Sequence, residues 1–132
     1  MTNKEIKDAI EYWKKTAEHD YKTILVLFKS KQYSNTLFFG HIVLEKILKG
    51  LFVKQMGEQP PFTHDLVRLA KIAELGLSDK DILFLNEVNQ FNIRARYPEK
   101  KLAFYKKCTP AYTKKNLEKI EVLYKNLCQK LK

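Results

Sequence analysis

Apolar residues recur at steps of three and four along most of this chain, the period of an α-helix laid against a core. Ile6, Ala9, Ile10, Trp13, Ala17, Ile24 and Phe28 mark one face of a first helix, predicted over about Asn3 to Lys31. Thr2 and Glu5 ahead of it have the spacing of a capping box. At 1.5 Å per residue such a helix is roughly 40 Å long. A second helix is predicted after Tyr33-Ser34, running to Met56 with Gly57 as its stop. Its apolar positions are Leu37, Phe38, His41, Leu44, Ile47, Leu48, Leu51 and Phe52, and they span a wide arc. A helix apolar over so wide an arc packs on more than one side.

Gly57-Glu58-Gln59-Pro60-Pro61 is the clearest break in the pattern. Thr63 is the expected cap of a shorter helix that turns Leu66, Leu69, Ala70 and Ala73 inward and ends at Gly76. Ser78 and Asp81 repeat the capping spacing and start a helix carrying Ile82, Leu83, Leu85 and Val88 to about Gln90. From Phe91 to Lys101 the period is lost and Pro98 intervenes, which predicts a loop; Lys101 to Lys107 adds a turn of helix. Thr109-Pro110 places a cap before a proline at the first helical position. The last helix then carries Tyr112, Leu117, Ile120, Leu123, Tyr124, Leu127 and Leu131. The expectation is an all-α, up-and-down bundle of four to five helices, one domain spanning residues 1–132.

Composition agrees with that expectation. Hydrophobic residues make up 45% and charged residues 30% of 132 positions, ordinary for a folded chain. Four glycines and four prolines are too few for the many tight turns of an all-β fold. The longest strictly apolar run is Ile24 to Phe28, far below the roughly 20 residues that span a bilayer. The start, Met1-Thr2-Asn3-Lys4-Glu5, has no apolar stretch behind it and does not resemble a signal peptide. Cys108 and Cys128 are too few for a disulfide framework and lack CxxC spacing, so reduced thiols and a cytoplasmic location are expected.

Charge is the informative quantity. The net charge is +10, yet Met1 to Ile93 holds 13 Lys/Arg against 12 Asp/Glu, and Arg94 to Lys132 holds 12 against 3. Cations gathered into one third of a chain favour an anionic partner, phosphate above all. A solvated Lys-rich helix is the competing reading.

Few residues offer chemistry. There is no Gly-rich phosphate loop, no GxSxG turn and no metal-binding spacing among His19, His41 and His64, so neither metal nor cofactor is expected. His41 and Glu45 stand one helical turn apart, as an acid/base pair or as a satisfied polar pair of the bundle. Glu45, Lys46 and Lys49 can equally form ion pairs on the helix surface or between subunits. His64-Asp65 has the position of a helix start, where Asp65 favours the dipole. Phe91-Asn92-Ile93-Arg94-Ala95-Arg96-Tyr97-Pro98 sets two arginines among aromatics. Guanidinium groups bind phosphate through paired hydrogen bonds and aromatics stack on bases; a salt bridge pinning the loop is the alternative use of Arg96.

These pieces occur in a recognisable order: Trp13, Ala17 and Asp20; Tyr33; Glu45-Lys46 and Lys49; Thr63-His64-Asp65-Leu66; Arg96-Tyr97-Pro98. From about Trp13 to Leu131 the chain resembles the HEPN family. The resemblance implies a four- or five-helix bundle, a homodimer with a cleft at the subunit interface, and binding of nucleotide or RNA. It also implies pairing with a minimal nucleotidyltransferase in toxin–antitoxin or accessory modules. Many members are metal-independent ribonucleases that use Arg followed, four to six residues on, by His. No histidine follows Arg94 or Arg96 here, so His41 and Glu99 are only weak catalytic candidates and binding without hydrolysis is the expectation. A ribonuclease with an altered site and a purely structural bundle are the alternatives. The candidate phosphate-binding residues are Arg94, Arg96, Tyr97, Lys100 and Lys101; the candidate cleft residues are His41, Glu45, Lys46 and Lys49.

Overall fold

A computed structural model describes residues 1–132, which form six helices and no strand. They are α1 (Asn3–Lys29), α2 (Tyr33–Met56), α3 (Leu66–Ile72), α4 (Asp79–Arg96), α5 (Pro98–Lys107) and α6 (Pro110–Leu131). Four are long; α3 and α5 are short additions. None is long and apolar enough to cross a membrane.

The bundle is built around α2. Its buried side chains include Leu37, Val43, Leu44, Ile47, Leu48, Leu51 and Val53, which face every direction around the axis. α1, α3, α4 and α6 all pack on it. Gly40 brings α6 close: a Cβ there would sit 2.6 Å from the Ile120 Cδ1 atom. α1 is the opposite case, amphipathic and buried along one stripe, with Ala17 and Ile24 innermost. It is tied to α6 where the Tyr21 hydroxyl donates to Glu121 at 2.8 Å. Burial and that carboxylate push the Tyr21 phenol up to about 12.

Caps set most of the ends. Thr2 and Glu5 form the reciprocal capping box at the start of α1. α1 stops at Lys29, two residues short of the expected Lys31, because Lys31 takes φ 63 to turn the chain toward α2. Gly57 closes α2 in the left-handed conformation at φ 67. The Thr109 hydroxyl caps α6, and Lys54 on α2 donates to the Lys130 and Lys132 carbonyls at its far end.

Two local expectations are corrected. The cap of α3 is Asp65, whose carboxylate accepts from the Val67 and Arg68 amides; Thr63 instead accepts from the Asp65 amide at 3.2 Å. More consequential, Phe91 to Lys101 is not a loop. α4 continues through it to Arg96, breaks at Tyr97 alone, and α5 begins with Pro98 in its first turn. Leu85, Val88, Phe91 and Ala95 carry the helical period onward. Fully buried Phe91 stacks on Phe104 of α5 at 6.0 Å, which folds α5 back against α4. Leu83, on the same helix, points to solvent.

Candidate functional site

Helix α4 has a second stripe besides its apolar one. Asn86, Asn89, Asn92 and Arg96 recur at steps of three and four, so they share a face. That face looks toward α2 and the turn before α3. Between them lies a cleft of about 330 Å³ lined by His41, His64, Asp65, Asn89, Asn92 and Arg96, among others. Of its lining residues only Ile93 is hydrophobic.

The walls are held by hydrogen bonds. The Asn89 side chain accepts from the Leu66 amide at 3.0 Å and donates to Asp65 Oδ1 at 3.0 Å, clasping α4 to the start of α3. His41 is buried, and its Nε2 lies 2.8 Å from the His64 carbonyl. A carbonyl can only accept, so Nε2 carries the proton and Nδ1 is left as an acceptor facing the Asn92 amide at 3.4 Å. Burial holds the imidazole below its ordinary pKa, against the opposing pull of the Glu45 carboxylate 3.9 Å away. His41 is therefore a neutral strut of the wall.

His64 is different. Its side chain is 53% exposed, and Glu45 Oε1 lies 2.8 Å from its Nδ1. That bond turns Nε2 away from the carboxylate and leaves it open to a ligand. The other oxygen of Glu45 takes the Lys49 ammonium at 3.0 Å, and Lys49 also lies 5.5 Å over the Trp13 ring. Lys46 pairs with Asp20 of α1. Lys46 and Lys49 thus serve the α1–α2 contact and do not line the cleft, whereas His41 does and Glu45 reaches it through His64.

The arginines part company. Arg96 lines the cleft just described; Arg94 lines a second one of about 480 Å³ between α4 and α5, together with Gln90, Glu99, Lys100, Phe104 and Lys107. Neither arginine forms an ion pair. The salt bridge considered for Arg96 is absent, and its guanidinium lies 6.0 Å from the Tyr97 ring instead. Tyr97 stands at the α4–α5 joint, partly exposed. Lys101 is exposed on α5 and lines neither cleft. Glu99 sits with Arg94, away from His41 and His64.

Sequence reasoning missed the asparagines and one aromatic. Asn86, Asn89 and Asn92 repeat every three residues, but a helix ending near Gln90 leaves Asn92 outside the repeat. Phe62 follows two prolines and is 100% exposed, its ring 6.3 Å from that of His64 at the rim of the cleft.

Chemically, the cleft offers a free guanidinium, an oriented imidazole and several amides, donors suited to an oxyanion and to the edges of a heterocycle. No curated protein and no solved structure matches the chain. A family model does: the HEPN domain matches residues 10–131, nearly the whole length, and the chain belongs to the HEPN domain family.

Proposed function

We propose that this chain, acting as one domain, binds the phosphate of a nucleotide or of RNA in the cleft of His64, Asn89 and Arg96. The observation that carries the reading is the unpaired Arg96 guanidinium, in a cleft whose other polar groups are amides, imidazoles and the Asp65 carboxylate, which is occupied by the Val67, Arg68 and Asn89 N–H groups. A cation without a carboxylate partner is free to take a phosphate through two parallel hydrogen bonds. Family membership supports the same ligand class. The test is titration of a fluorescent nucleotide and a labelled RNA at low and high salt. Affinity should fall steeply with salt, and Arg96→Ala should abolish most of it while Lys132→Ala changes little. Binding that is indifferent to Arg96→Ala ends the reading.

A second reading, metal-independent RNA cleavage, draws support from the Glu45–His64 pair. An imidazole oriented by a carboxylate is a suitable proton acceptor for a 2′-hydroxyl, and His64 shares its cleft with Arg96, although it precedes the arginine by 32 positions of sequence. Incubation with a long unstructured RNA in EDTA separates the two readings: cleavage lost in His64→Ala supports catalysis, and intact RNA supports binding alone.

The wider context is proposed on family membership: a homodimer, with a minimal nucleotidyltransferase as partner in a toxin–antitoxin or accessory module. Exposed Leu83 and Val122, along a groove between α4 and α6, supply apolar surface for association. Sedimentation at micromolar concentration should return the mass of a dimer.

A further inference from the structure

We propose that Asn92 is the specificity-determining residue of this cleft: its side-chain carbonyl, held in one orientation by His41, selects a phosphate ester with a hydroxyl on the adjacent carbon over one without it. The inference rests on the reading of the Arg96 cleft given above and adds what the ligand must bring beside its charge.

Four side-chain amides line the cleft, Asn86, Asn89, Gln90 and Asn92, and they are not equivalent. Asn89 is fully engaged, its oxygen by the Leu66 amide and its nitrogen by Asp65. Asn86 is exposed and Gln90 half-buried, and neither side chain is held by a hydrogen bond. Both can turn over to offer a donor or an acceptor, so they impose no preference. Asn92 is only 7% exposed, and its orientation is set from outside α4.

The setting begins at the turn before α3. The His64 carbonyl accepts the proton on His41 Nε2 at 2.8 Å. Burial keeps His41 neutral, so its Nδ1 presents a bare lone pair. Only the NH₂ end of the Asn92 amide can face that lone pair, which lies 3.4 Å from it; the oxygen placed there would set two acceptors against each other. Asn92 Oδ1 is thereby turned away from His41. No group of the chain donates to it, and the buried side-chain atoms that lack a partner are Tyr112 Oη and Thr113 Oγ1 only, so Oδ1 is not sealed inside. An acceptor of fixed sense opens onto the cleft.

A bare phosphate cannot satisfy that acceptor, because its own oxygens accept. Arg96 stands one helical turn beyond Asn92, and residues so spaced are about 5–6 Å apart at Cβ. A phosphate on Arg96 therefore has beside it an oxygen that asks for a donor. A ribose 3′-phosphate supplies one in its 2′-hydroxyl, on the carbon next to the ester. The deoxyribose compound has only C–H there and leaves the carbonyl unpaired. Sites built to hydrogen-bond a hydroxyl reject the analogue that lacks it, since a desolvated polar group is then left without a partner. A base amine is the other donor of a nucleotide, but the sugar ring separates it from the phosphate.

The experiment measures the affinity of the full chain for adenosine 3′-monophosphate, its 2′-deoxy counterpart and inosine 3′-monophosphate. Wild type should prefer the ribose compound to the deoxyribose one at least about tenfold, and should bind inosine and adenosine compounds alike. Asn92→Leu should bring the sugar preference close to one, mainly by weakening the ribose ligand. Because a buried substitution can disturb packing, the orientation is also read in the unaltered chain, where nitrogen NMR should find the His41 proton on Nε2. A proton on Nδ1 would turn the Asn92 oxygen toward His41 and overturns the proposal. Equal affinity of wild type for the two sugars, or a preference that survives Asn92→Leu, overturns it too and leaves the Arg96 site standing. A preference for adenosine over inosine with no sugar effect gives the carbonyl to a base amine and overturns the hydroxyl. If Arg96→Ala alters neither sugar compound, the underlying site falls with it.

Discussion

Glu45 Oε1 lies 2.8 Å from His64 Nδ1, so one carboxylate on α2 sets the orientation of the imidazole at the mouth of the cleft. The same carboxylate holds Lys49, and both side chains of that pair are nearly buried, at 13% and 10% exposure. The site is thus anchored in the α1–α2 contact, because Lys49 also covers Trp13.

Glu45→Gln should destabilise the fold by about 3 kcal/mol, since it leaves the Lys49 ammonium buried without its counter-charge. Denaturant unfolding reads the loss directly. Adding Lys49→Met should recover most of it, because a buried pair replaced by apolar groups costs little. A single substitution costing under about 1 kcal/mol would show that Lys49 finds water instead.

His41 makes stability depend on pH. Its pKa in the fold lies below the ordinary value of about 6.5, through burial, while the unfolded chain titrates near that value. Between the two the unfolded state binds more protons, so stability falls as pH falls through 6.5 and below, and is flat above it for this group. Glu45, the His64 carbonyl and imidazole, Asn89 and Asn92 are the polar groups that face it. Urea midpoints taken from pH 7.5 to 5.5 should decline in wild type and decline less in His41→Gln. Parallel curves for the two proteins would remove His41 as the cause.

Asn89 should tolerate no carboxylate. Asn89→Asp keeps an acceptor for the Leu66 amide but replaces the donor that reaches Asp65 Oδ1 with a like charge at about the same 3.0 Å. The expected loss is about 2 kcal/mol at pH 7, relieved on acidification toward pH 4 as one carboxyl takes a proton. A variant as stable as wild type at neutral pH would mean that the clasp between α3 and α4 is not formed in solution.

What could be read from sequence was whatever repeats within one helix. α1, α2 and α6 follow from apolar periods and caps, and their observed ends differ from expectation by two residues at most, as at Lys29. After Gln90 the sequence reads as a loop because the apolar period fades and Pro98 intervenes, with Asn92 among the polar positions. Asn92 is in fact a buried amide facing His41, and only the helix across the cleft explains it. The placement of the two arginines hangs on the same boundary. In a loop they can converge on one phosphate; on a helix they diverge. His41, His64 and Asn89 lie far apart in the chain, and no local spacing announces that three elements bring them together.

Phe104 decides whether α5 is part of the fold. Of its ten residues only Phe104 is buried, while Leu102 is 72% exposed and Lys100, Lys101, Lys106 and Lys107 face water. One ring, stacked on Phe91 and followed by buried Cys108, carries the attachment. A ten-residue helix has little stability of its own in water, so losing that ring should release the segment rather than merely leave a cavity. Phe104→Ala should therefore cost about 3 kcal/mol or less, with fast amide exchange confined to residues 98–107 and protection retained in α2 and α6. Unchanged exchange across residues 98–107 would mean that Phe104 is dispensable for docking, and global loss of protection would make α5 part of the central core.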